Sequence, residues 1–385
     1  MKTVYLDNNA TTAVAPEVLE AMLPYFSTHY GNPSSIHKFG GMVRKKIDHA
    51  REQVAALINA DPAEIVFTGC GSEGDNMAIS GFKNLHGSRT RLITSKVEHP
   101  AVGNLCHYWR DKGTPLTELD VDTAGLLMPD QLNSATIDAD TLVSLMWANN
   151  ETGVIFPLDE LAPAIKMRGG FVHTDAVQVA GKITIDVKST PVDMLTISGH
   201  KLHAPKGIGA HYIRKGLKLP PLIIGGHQES GLRAGTENVP YIIGFGMACD
   251  LALTHMREEN TRIKNLRDRL QRELLARCTG AHLNGAVEQR LPNTLNISFE
   301  FIEGEAILLL LDEHNIAASS GSACTSGSLE PSHVMRAMGV PYTLAHSSTR
   351  FSFSRYSTES DVDAVISVMP GIVDQLRKLS PYVNS

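Results

Sequence analysis

Residues 64–73 read Glu-Ile-Val-Phe-Thr-Gly-Cys-Gly-Ser-Glu. A short β-rich run enters a glycine-rich turn, and a helical pattern opens at Glu73. A chain that passes this way from strand to helix presents free backbone N–H groups, and with the Ser72 hydroxyl they form a cradle for an anion. The pattern is neither a Walker A loop nor GxGxxG, and a glycine turn between strand and helix is often no more than a turn. Outward from this stretch, strand candidates at 91–95, 141–147, 170–174 and 193–198 are separated by helical segments such as 157–167. Two further helices are expected upstream, at 16–26 and 37–58. The alternation predicts an α/β fold of βαβ units with a mostly parallel, doubly wound sheet. Ligands of such sheets lie beyond the carboxyl ends of the strands, and the polar clusters of this chain follow its strand candidates.

The 385 residues exceed one ordinary domain of about 100–200, so two domains or one large domain with an addition are expected. With 42% hydrophobic and 20% charged residues the chain is a soluble globular protein able to bury a core, not a disordered one. A net charge of −6 argues against nucleic-acid binding through a strongly basic surface. The start, Met-Lys-Thr-Val-Tyr-Leu-Asp, lacks the longer apolar stretch of a secretory signal. The conspicuous apolar run 306–311 is far shorter than the roughly 18 residues of a bilayer span, so no membrane partner is expected. The five cysteines, Cys70, Cys106, Cys249, Cys278 and Cys324, are odd in number, irregularly spaced and without a CxxC pair. A disulfide framework or zinc ribbon is disfavoured, a cytoplasmic setting is expected, and at least one thiol is free.

Near residue 260 the pattern changes. Ile263, Leu266, Leu270 and Leu274 recur at helical spacing among dense charge. Short runs follow at 294–299, 306–311 and 349–353. Thr358 and Asp361 then form a capping pattern ahead of a last helix, which Pro370 is expected to kink or end. Residues from about 260 onward read as a smaller α+β domain.

Two clusters behind strand candidates carry the chemistry. In His173-Thr-Asp-Ala-Val-Gln178 the aspartate is an N-cap, a metal ligand or a charge partner. In Ser198-Gly-His-Lys-Leu-His203 a lysine stands at a strand end, where a positioned amine can form a Schiff base. The flanking histidines lack a carboxylate–histidine motif, which disfavours a metal. Together, an anion cradle, an aspartate and a strand-end lysine suit pyridoxal 5′-phosphate. Its aldehyde needs Lys, its ring nitrogen an acid, and its phosphate amides and hydroxyls.

The chain resembles the cysteine desulfurases of the class V aminotransferase group. The matching stretches are Tyr5-Leu-Asp-Asn-Asn-Ala-Thr-Thr12, Gly31-Asn-Pro-Ser-Ser35, Val97-Glu-His-Pro100, Ala148-Asn-Asn-Glu-Thr-Gly153, residues 173–178 and 198–201, Arg233-Ala-Gly-Thr236, residues 319–328 and Arg350-Phe-Ser352. They span nearly the whole chain in the family's order, and Cys70-Gly71-Ser72 looks closer to the nitrogen-fixation branch. The resemblance implies PLP fold type I: a large domain (13–259) with a mostly parallel seven-stranded sheet between helices, and a small α+β domain (1–12 and 260–385) bearing the catalytic cysteine loop.

By motif, the resemblance implies that Lys201 carries the cofactor as a Schiff base and that Asp175 pairs with the ring nitrogen. Gln178 would bond the ring oxygen, and His99 would stack on the ring and move protons. Gly71, Ser72, Ser198 and His200 would bind phosphate, with Thr236 reaching the phosphate of a partner in a homodimer. Asn150 would lie near ring and substrate carboxylate, which Arg350 would clamp; Arg355 reads as structural. A bidentate Arg–carboxylate fork orients a substrate better than a lysine.

Gly and Ser on both sides of Cys324 predict an exposed, mobile loop. Its thiolate is the candidate nucleophile, with Cys70, expected to pack in the phosphate turn, as the rival. Cys106, Cys249 and Cys278 read as buried apolar residues. The implied reaction takes sulfur from L-cysteine, leaving L-alanine and a persulfide on Cys324 for an iron–sulfur scaffold protein as acceptor. No resident metal is expected, although Cys324 could transiently ligate an iron–sulfur cluster. The competing readings are another class V enzyme, a selenocysteine lyase or an aminotransferase, and a non-enzymatic iron–sulfur assembly scaffold.

Overall fold

A computed structural model describes residues 3–320 and 330–380. In chain order the first half contains β1 (Val4–Tyr5), α1 (Pro16–Met22), α2 (Pro24–Ser27), α3 (Lys38–Leu57), β2 (Ile65–Thr68), α4 (Gly71–His86), β3 (Arg91–Ser95), α5 (Pro100–Asp111), β4 (Leu116–Leu119), α6 (Pro129–Ser134), β5 (Thr141–Ser144) and α7 (Leu158–Met167). There follow β6 (Phe171–Asp175), β7 (Met194–Ser198), β8 (Gly209–Ile213), α8 (Val239–Arg277), β9 (Ala281–Leu283), β10 (Thr294–Phe299), α9 (Gly304–Glu313), β11 (Ile316–Ala317), α10 (His333–Ala337), α11 (Tyr342–Ala345), β12 (Thr349–Ser352) and α12 (Glu359–Leu379).

Seven strands form one sheet in the order β2-β8-β7-β6-β5-β3-β4. The pairs β3–β4, β3–β5, β5–β6 and β6–β7 are parallel, and only β8 runs antiparallel to its neighbours. The α/β expectation therefore holds, with a mainly parallel seven-stranded sheet. Successive strand residues point to opposite faces. Val66, Leu92, Leu142 and Met194 enter one apolar cluster. Their neighbours Phe67, Ile93, Val143 and Leu195 enter the other. Both faces are covered by helices, which is why these strands lack polar alternation.

A second core gathers Leu6, Ile263, Leu266, Phe299, Phe351, Val362 and Val373 around the three-stranded sheet β12-β10-β9. The N-terminal β1 pairs in parallel with β11, Val4 opposite Ile316. Val334, Met335 and Met338 of α10 and its end pack instead into the cluster of Phe67, Ile93, Val143 and Leu195. The pattern change near residue 260 falls inside one 39-residue helix, α8, rather than between elements. Its apolar first half has the length and composition of a bilayer span. Ile242, Phe245, Ala248 and Ala252 of that half are buried in the same cluster.

Three local expectations are corrected. The segment 16–26 is two helices, because Pro24 starts a new one. The helix after the glycine turn begins at Gly71, not Glu73. Pro370 lies inside α12, which neither ends nor divides there. The Thr358–Asp361 capping box is present, with Thr358 Oγ1 accepting from the Asp361 N–H.

Candidate active site

The site lies at the carboxyl edge of the large sheet. β6 ends in Asp175, and the β6–β7 register sets Asp175 opposite Thr196. Adjacent parallel strands thus deliver Asp175 and the Ser198-Gly199-His200-Lys201 turn to one edge. The N-terminus of α4 closes the third side. A Cβ on Gly71 would stand 2.9 Å from Val177 Cγ2, and one on Gly74 would stand 2.7 Å from Thr196 Cγ2. These glycines serve close approach of helix to sheet.

Between these walls is a cavity of about 210 Å³. Gly71, Ser72, His99, Asn150, Asp175, Gln178, Ser198, His200 and Lys201 all line it, with Asp75, Met146 and Ala148. The sequence separation of these residues is large, and the strand ends bring them together.

The donor set fits pyridoxal 5′-phosphate. Ser198 Oγ is buried without a hydrogen-bond partner. Its Cβ lies 3.6 Å from where a Gly71 Cβ would be. The first N–H groups of α4 have no partners within the helix. A phosphate seated there would satisfy both. Lys201 Nζ donates to the carbonyls of Asn9 (2.5 Å) and Ala10 (2.8 Å), which aim it into the cavity. Asp175 Oδ1 accepts the Val177 N–H at 2.9 Å. Burial pushes the Asp175 carboxyl up, opposed by His99, the Val177 N–H and Lys201. A cationic ring nitrogen in this dry site would hold the carboxylate ionised.

His99 is the N-cap of α5, and its Nδ1 accepts the Ala101 N–H at 3.1 Å. The acceptor role leaves the ring proton on Nε2 in the neutral form. Burial lowers the His99 pKa, Asp175 raises it and Lys201 lowers it. His200, bonded to Thr11 Oγ1 at 3.2 Å, is pushed down to about 4 by burial and the Lys201 charge, so it is neutral near pH 7.

Two expected site residues do not line the cavity. Arg350, on β12, is almost fully buried, donating to Asp7 Oδ1 (2.8 Å) and the Asn150 carbonyl (2.9 Å). Its Nε is buried without a hydrogen-bond partner. It therefore stands one residue behind the cavity wall, with Asp7 on its fork. Thr236 is exposed and lines a separate cavity with Glu229 and Arg233. Arg355 pairs with Glu259 at 3.2 Å.

Cys324 lies outside the described residues. The flanking residues are anchored beside the site. The Arg350 N–H donates to the Ser319 carbonyl (2.6 Å), and Ser332 Oγ donates to Glu151 Oε2 (2.5 Å). His333 Nε2 contacts the Glu98 carbonyl at 2.9 Å. Cys70 is corrected: it is exposed and lines the cavity rather than packing. Cys106, Cys249 and Cys278 are buried, and burial raises all three thiols, Cys106 to about 12.

Sequence reasoning missed Asp75. It is buried beside Asp175, and burial followed by the Asp175 charge pushes its carboxyl well up. Its Oδ1 lies 3.6 Å from His173 Nε2, within a buried array of Ser144, Thr196 and His211. The carbonyls of Asn9 and Ala10 were also missed, although they lie inside a quoted motif, because a backbone acceptor leaves no side-chain signal.

The sequence pattern of the family described as Aminotransferase class-V matches residues 4–365. The chain is 56% identical over 384 residues to a cysteine desulfurase of Trichormus azollae, covering 100% of this chain and 96% of that one. It is 53% identical over 383 residues to the cysteine desulfurase NifS of Azotobacter vinelandii, covering 99% and 95%. A solved structure described as a NifS-like protein superposes with a TM-score of 0.91 at 37% identity, covering 97% of this chain and 100% of that one.

Proposed function

The chain belongs to the aminotransferase class-V family and is a pyridoxal-phosphate-dependent cysteine desulfurase, and from that premise we propose how its own residues do the work. The orphaned Ser198 hydroxyl, set against the N-terminus of α4 in a cavity shared by Lys201 and Asp175, is the observation that carries the reading. Gly71, Ser72, Ser198 and His200 would hold the phosphate. Asp175 would keep a proton on the ring nitrogen, Gln178 would donate to the ring oxygen, and His99 would cover the ring. The bound cofactor supplies an electron sink for the substrate's Cα electrons. Lys201 would hold the cofactor through its aldehyde and, as a free amine, would take the proton from the substrate's Cα. Asn150 and Arg350 hold the substrate carboxylate, Arg350 turning part of its fork from Asp7.

The Cys324 thiolate attacks the substrate sulfur. An S–S bond forms as the carbon–sulfur bond breaks, and L-alanine leaves with the protons that His99 and Lys201 return. The persulfide is then passed to an acceptor, which we assign to an iron–sulfur scaffold protein, with the Cys70-Gly71-Ser72 turn favouring a nitrogen-fixation role. The anchoring of Ser319 on Arg350 supports Cys324 as the nucleophile, since it ties a residue shortly ahead of Cys324 in the chain to the substrate clamp. A homodimer in the cytoplasm completes the reading. Leu19, Leu23, Phe26 and Tyr30 of the α1–α2 region are exposed apolar side chains, as are Ile223 and Ile224, and such residues suit contact with a second copy.

Mass spectrometry after exposure to L-cysteine tests the nucleophile. One added sulfur is expected on Cys324, absent from Cys324→Ala while the cofactor's visible absorbance stays. Undiminished alanine release by that variant would reject the assignment.

A further inference from the structure

Lys182 lies in the turn that follows β6, in the same turn as Gln178, and no step above uses it. Its ammonium donates to the Gln178 carbonyl (2.9 Å) and to Gln178 Oε1 (3.2 Å). At the other end of the same amide, Gln178 Nε2 donates to the Asn9 carbonyl at 3.1 Å, the carbonyl that also receives Lys201 Nζ. An ammonium only donates and a backbone carbonyl only accepts. Caught between them, the Gln178 amide has one allowed orientation. Turned over, it would set N–H against ammonium and oxygen against oxygen. The remaining N–H of Nε2 is the polar edge Gln178 keeps for the cavity it lines.

The turn that aims Lys182 is itself held. Asn260 of α8 donates to the Lys182 carbonyl, and a Cβ on Gly181 would fall 2.5 Å from Leu202 Cδ2. Burial pushes the Lys182 ammonium down to about 7, with Lys201 and Arg350 adding to the effect. His203, Glu259 and Arg355 face it across a small cavity behind Lys201.

We propose that Lys182 is a positioning residue for the cofactor: it locks Gln178 so that an amide N–H, never the amide oxygen, meets the oxygen on the pyridine ring. This rests on the reading of Gln178 given above. The hydrogen-bonded line Lys182, Gln178, Asn9 carbonyl, Lys201 also ties the cofactor-bearing lysine to a second lysine outside the cavity wall.

The test is a double-mutant cycle on the affinity of the apoenzyme for pyridoxal 5′-phosphate, followed by fluorescence titration. Gln178→Ala and Lys182→Met are each expected to weaken binding about tenfold, the worth of one charge-assisted hydrogen bond. The double variant should bind no more weakly than Gln178→Ala, because Lys182 acts through Gln178. Lys182→Arg, still donor-only, should stay within about threefold of wild type. Unchanged affinity in Gln178→Ala would overturn the role of Gln178 itself. A loss in Gln178→Ala with none in Lys182→Met, or strictly additive losses, would overturn the role of Lys182 alone. If Lys182→Met does not fold, wild type and Gln178→Ala are compared at about pH 6 and about pH 8.5. Wild type should lose more affinity on the rise, since a neutral amine also accepts and leaves only the Asn9 carbonyl to oppose the flipped amide; equal losses would overturn the proposal. His203, Glu259, Arg355 and Lys201 are present in both proteins, so their contributions cancel in the comparison.

Discussion

Gly71→Ala asks how closely α4 must approach the sheet for the phosphate cradle to work. The new Cβ would stand 2.9 Å from Val177 Cγ2, roughly 0.6 Å inside an optimal carbon–carbon contact of about 3.5 Å. Ser198 Cβ at 3.6 Å and Thr196 Cγ2 at 4.0 Å block the sideways escape. Either the first turn of α4 retreats, or Val177 moves. The first response lifts the N–H groups from the phosphate, and the second drags the N–H that holds Asp175 Oδ1. Overpacking of this kind costs about 1–3 kcal/mol, equivalent to about 5- to 150-fold in affinity if it falls on the bound state. The fold itself should suffer less. Alanine restricts the unfolded chain more than glycine, a compensation of about 0.4–1 kcal/mol. The expected pattern is therefore weaker cofactor binding by fluorescence titration, with little change in urea unfolding of the apoenzyme. Val177→Ala removes Cγ2 and should restore most of the affinity in the double variant. Wild-type affinity in Gly71→Ala, or no rescue by Val177→Ala, would refute the close-approach argument.

Asp175→Asn keeps size but loses the charge facing the ring nitrogen; we expect cofactor affinity to fall by on the order of tenfold or more, read by equilibrium dialysis. Burial pushes Glu98 up to about 8, against which Ser95 and the Met146 N–H act. The folded state then holds a proton the unfolded chain releases near its ordinary value, so stability falls as pH rises between these two values and levels off above about 8. Urea titrations across that window should show a shallower fall for Glu98→Gln than for wild type, and parallel curves would contradict it. Light scattering should report a dimer, and charged substitutions at Leu23 and Phe26 together should produce monomers if that apolar face is the contact.

Much of the site was readable because its side chains are chemically unmistakable and follow strand candidates. Lys201, Asp175 and Ser198 sit where β7 and β6 end, as the alternating pattern implied. The strands β1, β4, β8, β9 and β11 were not read; β1, β9 and β11 have only two or three residues, too few for a periodic signal. The two halves of α8 looked separate for a different reason. Its first half is apolar against the large core, its second half charged between Ile263, Leu266 and Leu270 against the small one, and composition changes where the helix does not.

Residue identity established the chemical inventory: an amine, a carboxyl, a glycine turn and a thiol among small residues. Motif order added the family. Which groups share a cavity depended on long-range packing. Arg350 is held behind the wall by Asp7, 343 positions away in the chain. Asp75 burdens Asp175 because α4 packs down on the sheet through Gly71 and Gly74. Gln178 is oriented by Lys182 on one side and by the Asn9 carbonyl, 169 positions away, on the other. Such effects arise from burial and from which donor faces which acceptor, and both are properties of the packed chain rather than of any segment read alone.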